Sequence, residues 1–336
     1  MLPALLQIDE EHSPQLLVGI ARLAAQAESI RQGHLVEYFT LPSRALLNRC
    51  TSSRVPFTWT INPYRGCEFA CKYCYARYTH EFMEMRDGVD FERKIYVKQQ
   101  AAWLLRQELK KVRRGEEIAI GTATDPYQPA EKRYEVTRGI LQELAQHHGL
   151  EIGIVTKSDL VLRDVELLRR VAEHNSLFVN LTITTLNAKL ARILEPRAPR
   201  PDLRLQAVRQ LCAAGIDAGV ICAPVLPGIT DSPAALDAVV RATKEAGGKY
   251  IYANPLFLKP CSASVFLPFL EKEFPQLVAE YRQRFANRAF VSKAYSKRIS
   301  ELMARLREKH GISRKFSSRS RSAHPVQQQD QLGLFG

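Results

Sequence analysis

The sequence predicts an α/β fold, an open partial (β/α)6 barrel, and two observations carry that expectation. Six short apolar segments alternate with stretches of helical spacing between residues 57 and 253, and residues able to do chemistry collect just after several of those segments. Alternation of this kind argues for a parallel sheet with crossover helices. In such sheets functional side chains gather at the carboxyl ends of the strands. Periodicity alone leaves open whether the sheet closes towards a barrel or stays flat and doubly wound. A chain of 336 residues is long enough to bury a sizeable core in one or two units.

The elements follow in order. Residues 1–56 read as a mixed leader with one helical patch, Leu16 to Ala27, and Cys50 as a packed thiol. Phe57-Thr-Trp-Thr-Ile61 alternates as a strand. Val97 to Val112 has helical spacing and stops at Arg113-Arg-Gly115. Ile118–Ile120 is a strand and Tyr134–His148 a helix. Ile152–Val155 is a strand, and Ser158 caps a helix running to Glu173. Leu177–Thr185, Ala218–Ala223 and Tyr250–Ala253 complete the strands, separated by helices Leu203–Ala214 and Ser232–Ala246. Residues 57–260 are therefore the core, 261–311 a basic helical extension and 312–336 a disordered tail.

Behind the first strand lies Cys67-Glu-Phe-Ala-Cys71-Lys-Tyr-Cys74. Cysteines spaced C-x3-C-x2-C fit a [4Fe–4S] cluster with three protein ligands, whereas full ligation takes a fourth thiolate. One iron is then open to a substrate or cofactor. The competing reading is a zinc site borrowing a remote Cys or His, but zinc favours paired C-x2-C knuckles and no second knuckle is present. Seven cysteines with three committed to one loop do not make a disulfide framework, so a reducing, cytoplasmic setting is expected. No stretch has the apolar length of a membrane span. His80 reads as a surface imidazole beyond the loop, with an approach to the cluster as the other possibility.

The net charge of +13 is uneven. Residues 282–321 hold thirteen Lys/Arg against Glu301 and Glu308. Such a segment is either a polyanion-binding surface or a solvated helix and tail that keep the chain soluble. The chain ends Gln331-Leu332-Gly333-Leu334-Phe335-Gly336, an apolar peptide behind a low-complexity run.

The cysteine loop, with aromatic Tyr73 before its last cysteine, resembles the radical S-adenosylmethionine (SAM) enzymes. Gly121-Thr-Ala-Thr-Asp125-Pro-Tyr-Gln-Pro-Ala-Glu131 and Ile154-Val-Thr-Lys157 resemble the spore photoproduct lyase-like branch. The resemblance covers roughly residues 45–260. It implies a partial radical SAM barrel and a cluster held by Cys67, Cys71 and Cys74. It also implies that SAM binds the open iron and is cleaved to a 5′-deoxyadenosyl radical by an electron from an external reductant. It places Tyr73, Thr124, Asp125, Lys157, Thr182, Thr184 and Arg204 about the cofactor. Lys157 is suited to the SAM carboxylate. Glu195-Pro-Arg197 with Arg204 resembles a segment near the cofactor, or is a surface turn with an ion pair. The lyase carries a cysteine hydrogen donor where this chain has Thr122, so that step does not carry over. Cys261 is the candidate replacement, and Cys222 a strand cysteine.

The terminal peptide resembles the Gln-Leu-x-Leu-Phe sequence by which bacterial replication and repair proteins dock on the DNA sliding clamp. Gln331 would anchor the peptide, which includes Leu332, while Leu334 and Phe335 would fill the apolar pocket. The combined expectation is a radical SAM enzyme acting on damaged DNA and recruited by the clamp. The alternatives are a radical SAM RNA-modifying enzyme and a non-catalytic iron–sulfur DNA- or clamp-binding adaptor.

Overall fold

The computed structural model describes residues 17–32, 35–51 and 55–314. Gln331, Leu332, Leu334 and Phe335 lie outside the described residues. Six parallel strands form the main sheet: β1 Trp59–Ile61, β2 Glu117–Ile120, β3 Glu151–Thr156, β4 Ser176–Thr182, β5 Asp217–Val225 and β6 Ile251–Pro255. Their spatial order follows the chain from β1 to β6, and Leu47–Arg49 adds an antiparallel strand beside β1. A doubly wound sheet reverses its order at a switch point. An unreversed order is the partial barrel.

Side-chain parity divides the sheet into two faces. Ile61, Ile120, Ile154, Val179 and Ala218 stand in one register row and are buried. That face packs on the crossover helices α1 Ala101–Glu108, α2 Val136–Leu144, α3 Val165–His174, α4 Pro201–Ala213 and α5 Pro233–Glu245. Their facing residues, such as Leu105, Leu141, Leu168, Val208 and Val240, are wholly buried, each contributing about 1.5–3 kcal/mol of burial. Ala119, Val155, Phe178, Asn180 and Ile221, of the other parity, face the open concave side.

Several expected elements shift. Val97 is the last residue of a strand, Lys94–Val97, so the helix beyond it begins only at Ala101. Ser158 does cap, accepting from Leu160 N at 3.2 Å, but it caps a 3-10 turn, Asp159–Asp164, that precedes α3. The strand expected to reach Thr185 ends at Thr182. Two short strands ahead of residue 57 pair with strands of the core. Ser29–Gln32 and Glu37–Thr40 join Lys94–Val97 and Tyr64–Arg65 in a second, four-stranded sheet that brackets the cysteine loop. No local signal marks these strands, because they are four residues or shorter and pair across long separations.

Beyond β6 the chain forms α6 Pro260–Glu273, α7 Val278–Phe285 and α8 Lys293–His310. Ser292 caps α8 at its start, and Gly311, at φ +58°, ends it in the left-handed conformation. Tyr295, Ile299, Met303 and Leu306 pin α8 to the core by one stripe, leaving its basic residues outward. Among the described residues no helix is long and apolar enough to cross a membrane.

Candidate functional site: a three-thiol cavity on the concave face

The cysteine loop leaves β1 through Asn62–Gly66. Gly66 sits at φ +85°, and a Cβ there would lie 2.6 Å from Lys94 O and 2.9 Å from Phe91 O, so only glycine allows the turn into Cys67. The Cys67 N–H donates to Phe91 O at 2.9 Å, the Lys72 N–H to Leu194 O at 2.9 Å, and Ser262 Oγ donates to Cys74 O at 2.9 Å. Arg77, almost wholly buried, donates to Cys71 O at 2.9 Å and pairs with Glu92 at 2.7 Å. The loop is thus fixed by backbone contacts from four segments, leaving the thiols unencumbered.

All three thiols are free and line one cavity of about 300 Å³. Among the described residues no three Cys, His, Asp or Glu side chains converge on a point as the ligands of a single ion must. Each thiolate of a cluster takes a different iron, and three thiols that line one cavity fit that donor set. Burial pushes all three thiols up, Cys71 to about 12. Ligation of iron by these cysteines therefore goes with loss of their thiol protons.

The loop after β2 supplies the second wall. Gly121, at φ +88°, admits the turn at Pro126, where a Cβ would meet Pro126 Cδ at 2.5 Å. Asn62 Oδ1 accepts from Ala123 N at 2.8 Å, tying this loop to the start of the cysteine loop. Thr124 Oγ1 donates to Gly66 O at 2.6 Å and accepts from Gln128 Nε2 at 3.0 Å. Gln128 Oε1 in turn accepts from Glu68 N at 2.9 Å. Asp125 locks the next loop: Oδ1 accepts from Tyr127 N at 2.9 Å and Thr156 Oγ1 at 2.6 Å, and Oδ2 from Lys157 N at 2.7 Å. Thr124 and Asp125 both line the cavity, yet their polar atoms are largely taken up in holding three loops together.

Lys157 also lines the cavity, with Nζ 5.7 Å from the centre of the Tyr73 ring. Burial works against its charge, but Cys71, Glu195 and Asp125 hold the ammonium above the ordinary lysine value. Thr182 lines the cavity as expected, whereas Thr184 does not. The strand has ended by then, and Thr184 Oγ1 donates to Glu195 Oε1 at 3.0 Å and lies 3.1 Å from Tyr73 Oη. Tyr73 Oη also donates to Glu195. Arg204 pairs with Glu195 at 2.5 Å and donates to Pro199 O and Thr182 O. Glu195 and Arg204 are not a surface pair: each side chain is 1% exposed. Arg204 and Thr184 therefore lie one step behind the Tyr73 ring, which lines the cavity.

Two further expectations are corrected or relocated. His80 is buried rather than on the surface, packed edge-on against Phe91 and Tyr96, with Nε2 3.1 Å from Lys94 O. Burial, reinforced by Arg65, Lys94 and Arg77, lowers its pKa from 6.5 to about 4. A neutral buried imidazole opposes acid: its contribution holds above pH 6.5 and is lost as pH falls towards 4, a change of about 3 kcal/mol. Urea unfolding at pH 7 and pH 4.5 checks this, and H80L should show a distinctly flatter dependence. Cys261 opens α6 with Sγ 3.8 Å from Ser262 Oγ and does not line the cavity. Cys222 is wholly buried on the helix-packed face.

Sequence reasoning passed over Asn180, Tyr252 and the pair Phe257/Phe290, all of which line the cavity. The Phe257 and Phe290 rings stack at 4.5 Å. Strand parity was the available signal for Asn180 and Tyr252. Nothing local marks Phe257 and Phe290 as partners.

A barrel with three thiols in a strand-end loop defines a class, and comparison with known proteins agrees. The radical SAM superfamily model matches residues 61–238, and the chain belongs to that superfamily. An uncharacterised protein of Mycobacterium tuberculosis is 35% identical over 80% of this chain and 80% of its own length. One from Methanocaldococcus jannaschii is 30% identical over 65% of this chain and 77% of its own. Among solved structures, a spore photoproduct lyase mutant with bound AdoMet and dinucleoside spore photoproduct is similar at TM-score 0.61 and 14% identity, covering 83% of this chain and 81% of that one. At that identity the likeness is one of fold.

The family implies a [4Fe–4S] cluster and SAM, and the three free thiols beside a cavity fit them.

Proposed function

We propose that this chain is a radical SAM enzyme acting on nucleic acid, with damaged DNA as its substrate. The observation that carries the reading is the single cavity shared by Cys67, Cys71, Cys74 and Lys157, which extends to the aromatic residues Phe257 and Phe290. When bound, the cluster and SAM supply a 5′-deoxyadenosyl radical: one electron from an external reductant cleaves the sulfonium C–S bond and leaves methionine. The chain's own residues do the rest. The three cysteines hold the cluster, Lys157 offers an ammonium to the SAM carboxylate, and Tyr73, Thr124, Asp125 and Thr182 shape the wall beside it. Thr184 and Arg204, acting through Glu195, fix Tyr73. Phe257 and Phe290 offer faces on which a base can stack.

The outward basic face of α8 and the segment around it support phosphate contact. The terminal peptide with Gln331, Leu332, Leu334 and Phe335 supports recruitment by the sliding clamp through effective concentration. Cys261 is the candidate hydrogen donor to the product radical; because its thiol lies off the cavity, that role requires α6 to move on substrate binding. Cys261→Ala should then leave 5′-deoxyadenosine formation intact while product release from the substrate radical fails.

The test is 5′-deoxyadenosine formation by anaerobically reconstituted protein with SAM and dithionite, alone, with UV-irradiated DNA and with tRNA. Stimulation by irradiated DNA supports the proposal. Stimulation by tRNA alone moves the substrate to RNA, and a full cluster with no product favours the non-catalytic adaptor. In the same assay Lys157→Met is expected to weaken SAM binding by about 10–100-fold, the loss of one charge-assisted contact. Equilibrium binding of SAM to the reconstituted variant reads this directly.

A further inference from the structure

A second cavity, of about 380 Å³, shares a wall with the first. Among the described residues Phe69 is the one that lines both. Its ring is 2% exposed and packs with Cys67 and Cys71, on either side of it in the chain. The Arg197 N–H donates to Phe69 O at 3.3 Å, so the rim of the second cavity is tied to the cysteine loop. Tyr127 and Ser158 continue this wall from the same loops that carry Asp125 and Lys157 into the first cavity. One side chain thus separates an outer cleft from the space that the three thiols line.

The cleft is positively charged by side chains that nothing nearby neutralises. Lys132 is exposed and Arg197 half-buried, and neither makes an ion pair among the described residues. Arg197 Nη1 makes one long contact, to Glu92 O at 3.5 Å. Arg163, the third cation of the lining, is spent on Glu131 at 2.8 Å and Asp164 at 2.7 Å. Asp159 is the single acid on the lining, against two cations without a partner.

Reductive cleavage of SAM takes one electron from outside the chain, and the thiols that would hold the cluster offer no direct contact: Cys67 is 9% and Cys71 6% exposed. A carrier protein cannot enter a cavity of about 300 Å³, least of all one occupied by SAM and a substrate. It has to work through a wall, and a wall one ring thick gives a short path. Electron-transfer encounters are small and weak, so a cleft flanked by a few rim charges is enough to steer one. We infer that the cleft rimmed by Lys132 and Arg197 is the docking surface of a small acidic one-electron carrier protein, which reduces the cluster across Phe69. The carrier loses one electron and the cluster gains it, with no proton or group transferred. The carrier's identity as an electron donor rests on the function proposed above.

The probe is a bacterial flavodoxin, a small acidic flavin protein, used with the full chain before and after anaerobic reconstitution. Its affinity is read by titration on both forms. Cluster reduction is read by visible absorbance, with reduced flavodoxin and with dithionite, which is too small to need a docking surface. Lys132→Glu should bind flavodoxin about 10-fold more weakly at low salt, accept its electron correspondingly slowly, and be reduced by dithionite at the parental rate. Lys110→Glu makes the same charge change at an exposed lysine that lines neither cavity, and should lose far less. Equal losses in the two variants show that flavodoxin senses only net charge, which overturns the surface. So does a Lys132→Glu protein slowed with both reductants, or a parent that dithionite reduces and flavodoxin neither binds nor reduces. If dithionite finds no cluster to reduce, the function proposed above fails, and the affinities of the two variants alone decide the docking surface.

Discussion

Cys71→Ala protein is expected to take up almost no stable iron and to form no measurable 5′-deoxyadenosine, while keeping its fold. The parent, reconstituted anaerobically, should hold about four irons per chain. Two thiolates cannot retain a cluster built for three, and no other cysteine lines the cavity to replace the missing one. The fold should survive because the loop is held by its backbone and by Arg77, not by the thiols: Arg77 donates to the carbonyl of residue 71, which alanine keeps. Iron and sulfide analysis, circular dichroism and the SAM-cleavage assay decide it together. A Cys71→Ala protein with a full, SAM-cleaving cluster would falsify the ligand assignment.

Glu195→Ala is expected to cost about 3–5 kcal/mol of stability. The substitution strands the Arg204 guanidinium in a place where it is 1% exposed and removes the acceptor of Tyr73 and Thr184. Burial alone would raise the Glu195 carboxyl, but Arg204 and Lys157 hold it below its ordinary value, so it is charged at neutral pH and the pair is a true ion pair. Replacing both partners, Glu195→Met with Arg204→Met, should recover much of the loss, since two buried charges leave together. The exposed pair Arg200–Asp202, at 2.7 Å, is the internal contrast: Asp202→Ala should fall within the spread of ordinary surface changes. Urea midpoints at constant slope measure all three. If Glu195→Ala behaves like Asp202→Ala, the network behind Tyr73 does not hold the site together.

Much of the fold was legible because its signals are local. A strand shows within three to nine residues, and a crossover helix by its apolar spacing, so all six strands of the main sheet were placed to within a few residues. The cysteine spacing is equally local, since it falls within one loop. Element ends were less legible: Val97 fits a helical stripe as well as a strand, and only its pairing with Thr40 and Tyr64 decides. The small sheet was invisible for the same reason.

The sequence by itself determined the class of fold, the three cysteines and the loops that carry Thr124, Asp125 and Lys157, because strand order and strand ends bring those loops to one rim. Tertiary structure alone decided what each side chain does there. Tyr73 meets Glu195 across 122 positions and Thr184 across 111, and those contacts place Thr184 behind the Tyr73 ring rather than on the cavity. Likewise His80 became a buried neutral group through packing by Phe91 and Tyr96. Burial and hydrogen-bond partners depend on which surfaces meet, and no short window of sequence contains both.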